Sequence, residues 1–409
     1  MMNMENRSIN FSPVYIGDDE INNVVEVLKS GWITTGPKTK EFEQKISSYL
    51  GTSKTAALNS CTAALEMTLR LLNIKEGDEV IIPAYTYSAT AAAVAHSGAK
   101  IIMIDSNKNN FHMDYSKLES YISSKTKAII PVDIAGIPCD YSKIFEILEK
   151  NKGKFKANGK IQEAIGRIAV ITDAAHSFGA TYDDKFIGSI ADFTCFSFHA
   201  VKNLTTGEGG AVTWKSISGI DDDYIYSTYM LLSLHGQTKD ALSKNKSGQW
   251  EYDIIAPLYK CNMTDISAAI GLGQLDKYQK FLNKREELIN KYDELLKDDV
   301  FINPQHFTNE YKSSGHLYLL RINGIKSEQR DQIIDEMSKF NIACNVHYKP
   351  LPLLTAYKNL GFDIKDYQNA YELFENEISL PLHYQLSEDD IEYICSSLKK
   401  ILKKVCNYV

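Results

Sequence analysis

Seven short apolar runs, most of them separated by stretches with helical spacing, set what this 409-residue chain can fold into. The runs are Thr55–Asn59, Glu79–Pro83, Lys100–Asp105, Ala128–Val132, Ile168–Thr172, Phe193–Phe198 and Gly210–Trp214. Helical spacing falls at Ala63–Leu72, Ser88–His96, Tyr115–Ile122 and Tyr141–Lys150. Strands joined through helices do not pair as hairpins. They predict an α/β fold with a seven-stranded, mostly parallel sheet covered on both faces. Ligands of such sheets sit beyond the strand ends, so the residues that follow the runs are where chemistry is sought.

The rest of the chain reads differently. Lys150–Arg167 is polar and rich in Lys and Gly, as in a surface insertion. A long helical stretch over about 265–297 leads to a smaller α+β unit. That unit is read as a strand at His316–Ile322, a helix at Ser327–Phe340, a strand at Ala343–His347, and helices near Ile364–Glu375 and Ser387–Lys403. The division is a large domain, 1–264, and a bridging helix with a small C-terminal domain, 265–409. The Lys-rich tail Leu398–Lys404 reads as a solvated helix face.

Composition bounds the function. Apolar and charged fractions of 44% and 24% are those of a globular protein. A net charge of −7 disfavours a nucleic-acid or membrane-surface partner. The start, Met1 to Arg7, lacks the apolar run of a signal peptide, and nothing approaches the roughly 18 apolar residues of a spanning helix. Seven scattered cysteines without a C-x-x-C pair suggest core thiols in a reducing cytoplasm and no metal site.

The chemistry begins at Lys202, in a loop of small and polar residues between the run at Phe193 and Gly207-Glu-Gly-Gly210. A lysine at a strand end suits imine chemistry, because burial lowers its pKa toward the nucleophilic amine. A lone lysine beside glycines is more often an ordinary surface loop. Upstream, Val170-Ile-Thr-Asp-Ala-Ala-His176 ends another strand in Asp173. Pyridoxal phosphate needs an aldehyde partner and a carboxylate that keeps its ring nitrogen protonated, and Lys202 with Asp173 supplies both. Asp173 alone reads as well as a turn former, and His176 as a structural histidine. At Ala56-Ala-Leu-Asn-Ser-Cys-Thr-Ala-Ala-Leu65 a strand turns into a helix with Leu65, Leu69 and Leu72 on one face. Ser60 and Thr62 there suit a phosphate at a helix start, or are plain N-caps. Tyr87, after the strand at Glu79, offers a plate for a flat ring, or is core.

Taken together, these elements resemble the DegT/DnrJ/EryC1/StrS sugar aminotransferases, fold type I pyridoxal-phosphate enzymes, over nearly the whole chain. The motifs are Gly31-Trp-Ile-Thr-Thr-Gly-Pro37, Asn59-Ser-Cys-Thr-Ala-Ala-Leu65, Asp173-Ala-Ala-His176, Ser197-Phe-His-Ala-Val-Lys-Asn203, Leu234-His-Gly236, Tyr259-Lys-Cys-Asn-Met-Thr-Asp265 and Val346-His-Tyr-Lys-Pro350. The resemblance implies that Lys202 is catalytic and bonds the cofactor, that Asp173 pairs with the pyridinium, and that Tyr87 stacks on the ring with His176 nearby. It makes Ser60, Cys61, Thr62 and Ser197 the phosphate cup. It sends Lys260 into the neighbouring subunit's site in a homodimer with shared active sites. Trp32, Thr34, Thr35, His235, His316, His347, Tyr348 and Lys349 are its substrate-binding candidates, the last four also explicable as ordinary polar residues. Departures from the family pattern are Cys61 for Gly, Ala200-Val201 for Pro-Thr, and Lys260 and Asn262 for Asn and Arg.

The resemblance further implies that an amino group passes, from glutamate, to the keto group of a nucleotide-linked deoxysugar, for amino-sugar and surface-polysaccharide synthesis. Other readings are a lyase, aldolase or desulfurase of the same fold, a sugar dehydratase, or a non-catalytic regulatory homologue. Lys202 argues against the dehydratases, which carry His at that place.

Overall fold

The computed structural model describes residues 7–239 and 251–406. Residues 1–6, most of the start read above for its missing apolar run, lie outside the described residues. The main sheet holds β1 (Thr55–Leu58), β2 (Glu79–Pro83), β3 (Lys100–Ile104), β4 (Thr126–Ile129), β5 (Ala169–Asp173), β8 (Phe193–Ser197) and β9 (Gly210–Trp214). Its order is β1-β9-β8-β5-β4-β2-β3. Pairings are parallel from β3 across to β8, and β9 alone runs backwards, against both β8 and β1. The seven-stranded, mostly parallel α/β sheet agrees with the sequence reading.

Side chains alternate across a strand, and the alternation splits the core in two. Ala56, Leu58, Val80, Ile82, Ala169, Ile171, Phe193 and Cys195 join one apolar cluster. Their neighbours Ala57, Ile81, Val170 and Phe196 join the other. The first face is closed by the helices Cys61–Leu71, Ser88–Ser97 and Asp222–Ser233, the second by Pro37–Leu50, Tyr141–Lys150 and Asp265–Asp276. Burial on both faces is why these strands read as continuous apolar runs. Five of the seven cysteines are buried and all are free thiols.

Beyond the sheet, β6 (Thr181–Tyr182) and β7 (Lys185–Phe186) form a small ribbon with β11 (Tyr311–Lys312). A second three-stranded sheet joins β10 (Phe301–Ile302), β12 (Tyr318–Ile322) and β13 (Glu377–Leu380), all antiparallel. A third apolar cluster lies under it; apart from Ile9, its buried members run from Leu288 to Leu402. The N-terminal segment thus docks on the C-terminal unit, through Ile9 N–H to Asn341 O at 2.8 Å.

Four details correct the sequence reading. The long helix over 265–297 is two helices, Asp265–Asp276 and Tyr278–Leu295, parted at Lys277 where ψ reaches 5°. The stretch 150–167 carries the helix Lys160–Ile165, anchored by buried Ile161 and by Gln162 Nε2 donating to Leu72 O at 2.6 Å. Ala343–His347 is no strand: it keeps one bridge, Asn345 to Ser379, because the His347 N–H is taken by the Glu377 carboxylate at 3.0 Å. The strand beside it is Glu377–Leu380, which the sequence reading passed over. The tail keeps its lysines outward, with Lys404 paired to Glu336, while Leu398, Ile401 and Leu402 are buried.

Candidate active site

The carboxyl ends of β1, β2, β5 and β8 open onto one cavity of about 340 Å³. Its wall brings together Ser60, Cys61, Thr62, Tyr87, Asp173, His176, Ser197, Lys202 and Tyr348, all read from the sequence. Thr86, Val132, Ile134, His199 and Glu208 also line it and were missed. Its volume lies within the ~300–1,000 Å³ of small-ligand sites.

Ser60 caps the helix Cys61–Leu71, its Oγ accepting from Ala63 N at 3.1 Å. The N-cap alternative is therefore realised, and the helix start still faces the cavity with Thr62 beside it. The turn sits against β9: a Cβ on Gly210 would lie 2.3 Å from the carbonyl carbon of Ser60. Only glycine lets the two backbones approach so closely.

Asp173 ends β5 and is 5% exposed. Thr90 Oγ1 donates to its Oδ2 at 2.6 Å, Ala175 N to its Oδ1 at 3.2 Å, and Cys61 Sγ lies 3.8 Å from Oδ1. Burial raises its pKa, and the Thr90 and Ala175 hydrogen bonds and the Lys202 charge pull it back. Thr90 was missed, although it stands one helical turn after Tyr87, which the sequence did single out.

Lys202 lies in the loop between β8 and β9. The loop is closed at its neck by Phe198 N to Gly209 O at 2.8 Å and Thr206 N to Phe198 O at 2.9 Å. Burial lowers the Lys202 pKa from 10.5 to about 8, against the opposing pull of Asp173. Asn203 ties the loop to the C-terminal unit: its Nδ2 donates to Ser314 O at 2.8 Å, so its Oδ1 accepts from His316 Nδ1 at 2.9 Å. The signal for Asn203 was its place directly after the lysine.

The remaining candidates lie off the cavity wall. His316 is 5% exposed, packed 4.3 Å from the His176 ring, and burial holds its pKa well below the usual value. His347 bonds Ser379 Oγ at 2.8 Å and is lowered to about 4, chiefly by burial. In both, burial disfavours the positively charged form of the ring. Lys349 and His235 are exposed; the His235 N–H donates to Tyr259 O at 2.7 Å. Trp32 Nε1 donates to Thr35 O at 3.1 Å, and Thr34 O accepts from Asp265 N at 3.2 Å. Lys260 is exposed and bonds Asn262 Oδ1 in its own chain, on a segment lying along β1 through Asn59 N to Cys261 O at 2.8 Å. Asp265 explains why this segment and the Gly31–Pro37 motif meet: its carboxylate accepts from Gly36 N at 2.7 Å and Thr39 N at 2.9 Å, at the start of the helix Pro37–Leu50. That is a favourable place for a negative charge.

A seven-stranded sheet with one reversed strand, whose lysine and buried carboxylate reach one cavity at its carboxyl edge, is the architecture of the fold type I pyridoxal-phosphate transferases. The chain belongs to the DegT/DnrJ/EryC1/StrS aminotransferase family, whose model matches residues 14–399. It is similar to Spr1654 of Streptococcus pneumoniae, 51% identical in its PLP-form, with a TM-score of 0.94 over 98% of this chain and 100% of that one. The PMP-form of the same protein gives a TM-score of 0.95. Spore coat polysaccharide biosynthesis protein SpsC of Bacillus subtilis is 35% identical, covering 98% of this chain and 99% of its own. A UDP-4-amino-4-deoxy-L-arabinose–oxoglutarate aminotransferase of Shewanella sediminis is 33% identical, over 95% and 96%.

Proposed function

We propose that this chain is a pyridoxal-phosphate-dependent aminotransferase that moves an amino group from glutamate to the keto group of a nucleotide-linked deoxysugar. The product would be an amino sugar for a surface polysaccharide. The observation that carries the reading is Lys202 and Asp173 on the wall of one cavity, with the capped turn at Ser60 beside them.

The residues present fit the cofactor. Asp173 offers a buried, oriented carboxylate to a ring nitrogen. Ser60, Thr62 and Ser197 offer hydroxyls, and the helix start offers N–H groups, to a phosphate. Tyr87, 62% exposed, offers its face to a ring. Pyridoxal phosphate bound there supplies an electron sink for the carbon that loses its proton. The chain's own residues do the rest. With its pKa near 8, Lys202 takes up and returns that proton close to physiological pH. Asp173 stays aligned by Thr90 and Ala175. Val132, Ile134 and Ala175 add apolar wall beside these groups.

Glutamate as donor is supported by the oxoglutarate in the name of the Shewanella relative. A homodimer is supported by the exposed apolar stripe Ile21, Val25 and Leu28 on the helix Asp18–Ser30. Lys260 would then complete the partner's phosphate site. Substrate contacts from Trp32, Thr34, Thr35, His235 and Lys349 belong to this reading, as does the division into 1–264 and 265–409. Seven free thiols fit a reducing, cytoplasmic compartment. The test is to add glutamate to the cofactor-loaded protein and follow loss of the visible band with release of 2-oxoglutarate. A panel of keto-sugar nucleotides should then restore the band. No exchange with any amino donor would overturn the reading.

A further inference from the structure

His176 meets two partners whose roles decide where its proton sits. The backbone N–H of Ala135 points at Nδ1 from 3.2 Å. A backbone amide only donates, so Nδ1 accepts and carries no proton. Burial, with the charge of Lys202 nearby, holds the ring neutral, so its single proton is on Nε2. The Ala135 N–H cannot easily turn away. Its turn is pinned by His316 N to Ala135 O at 2.9 Å and Ser314 N to Gly136 O at 3.1 Å, with Ala135 at φ 60°.

Nε2 lies 3.0 Å from the Tyr348 hydroxyl. Since Nε2 bears the proton, it donates, and the phenol oxygen accepts. The phenol's own hydrogen must therefore point elsewhere. Among the described residues no side chain or carbonyl takes it, and Tyr348 lines the cavity. The backbone that carries the ring is tied to Tyr85, where Tyr348 N donates to Tyr85 Oη at 2.9 Å and Tyr85 Oη donates to His347 O at 3.0 Å.

We propose that the Tyr348 hydroxyl donates the hydrogen bond that holds the keto oxygen of the substrate, with His176 as the positioning residue that fixes the direction of that bond. The inference rests on the aminotransferase reading and adds a residue to it. A carbonyl oxygen only accepts, so it needs a donor whose hydrogen is already aimed. The sheet edge supplies the groups suited to a resident cofactor. Tyr348 belongs to the C-terminal unit and lines the same cavity as Lys202, where an exchanging ligand is met. The bond orients and polarises the carbonyl, and no proton leaves the phenol.

Nitrogen NMR of the histidine-labelled holoenzyme tests the tautomer, with His176 assigned by its loss in His176→Gln. Nδ1 should be unprotonated and Nε2 protonated. Tyr348→Phe should lower kcat toward the keto sugar by roughly 10²-fold, while the pH titration of the bound cofactor's absorbance stays as in wild type. His176→Leu should lose as much, and His176→Gln, which keeps an N–H donor, less. The double variant should be no worse than Tyr348→Phe alone. A proton on Nδ1, a Tyr348→Phe enzyme within about twofold of wild type, or a shifted cofactor titration would each overturn the proposal. The last would assign the hydrogen bond to the cofactor's own oxygen. Wild type that fails to exchange with glutamate would remove the aminotransferase reading itself; active wild type with an unimpaired Tyr348→Phe removes this inference alone.

Discussion

Thr90 Oγ1 donates a 2.6 Å hydrogen bond to Oδ2 of Asp173, joining the first turn of the helix Ser88–Ser97 to the end of β5. A buried carboxylate without such donors would neutralise or turn away. Here each oxygen has a protein partner, Thr90 on one side and Ala175 N–H with the Cys61 thiol on the other. The carboxylate that faces the cavity is thus fixed before any ligand arrives.

Replacing Thr90 with Val removes the donor and keeps the shape. A hydrogen bond to a charged group contributes about 1.5–3 kcal/mol, and that stability should be lost at neutral pH. The loss of a donor raises the Asp173 pKa above its already raised value. A carboxyl with a raised folded pKa destabilises above that pKa, and the cost is relieved as pH falls through it. The deficit in Tm should therefore shrink in acid, and Thr90→Ser should restore most of it. A deficit independent of pH would mean that Thr90 matters only for packing.

Lys202 gives the opposite window. Its folded pKa, about 8, lies below the ordinary 10.5, so between those values the unfolded chain binds more protons and stability rises with pH. Below about pH 8 both states are protonated and the cost of burying the charge is fully present. Lys202→Met in the cofactor-free chain should raise Tm at pH 7, and the gain should fade toward pH 10.5. Exchange with glutamate should vanish. A variant less stable than wild type at pH 7 would contradict the buried-amine account.

Gly210→Ala places a methyl 2.3 Å from the carbonyl carbon of Ser60 and 2.5 Å from Cys61 N. The obstacle is backbone, so the strand or the capped turn must move. We expect a loss of about 1–3 kcal/mol in denaturant titration and weaker cofactor binding, because the displaced turn belongs to the phosphate cup. Unchanged affinity by equilibrium dialysis would separate the turn from cofactor binding.

For Lys260 the measurement is complementation between two inactive chains, Lys202→Ala and Lys260→Glu. A mixed dimer contains one site with both residues intact and should recover part of the activity. No recovery in confirmed hybrids would leave Lys260 as the exposed partner of Asn262 in its own chain.

Much of the frame was legible because its signals are local. Tyr141–Lys150 and Glu79–Pro83 run over the residues that their spacing indicated. Asp173, Lys202 and the turn at Ser60 were marked by strand ends that deliver polar residues into stretches of small ones. Glu377–Leu380 escaped because a four-residue run next to a helix has no period of its own to read; it is a strand through its register with Tyr318–Arg321. The break at Lys277 was equally silent, since apolar spacing continues across it.

The sequence by itself marked the seven strands of the main sheet, the helices between them and the residues at the sheet's carboxyl edge, since these follow from neighbours in the chain. The tertiary structure alone decided who faces whom. Thr90 and Asp173 are 83 residues apart, and Tyr348 and His176 are 172 apart. His316 and Asn203, read as a ligand candidate and as a motif neighbour, became an anchor for the lysine loop. Hydrogen-bond direction depends on where a distant donor ends up after the chain has crossed the sheet, and no local spacing encodes that.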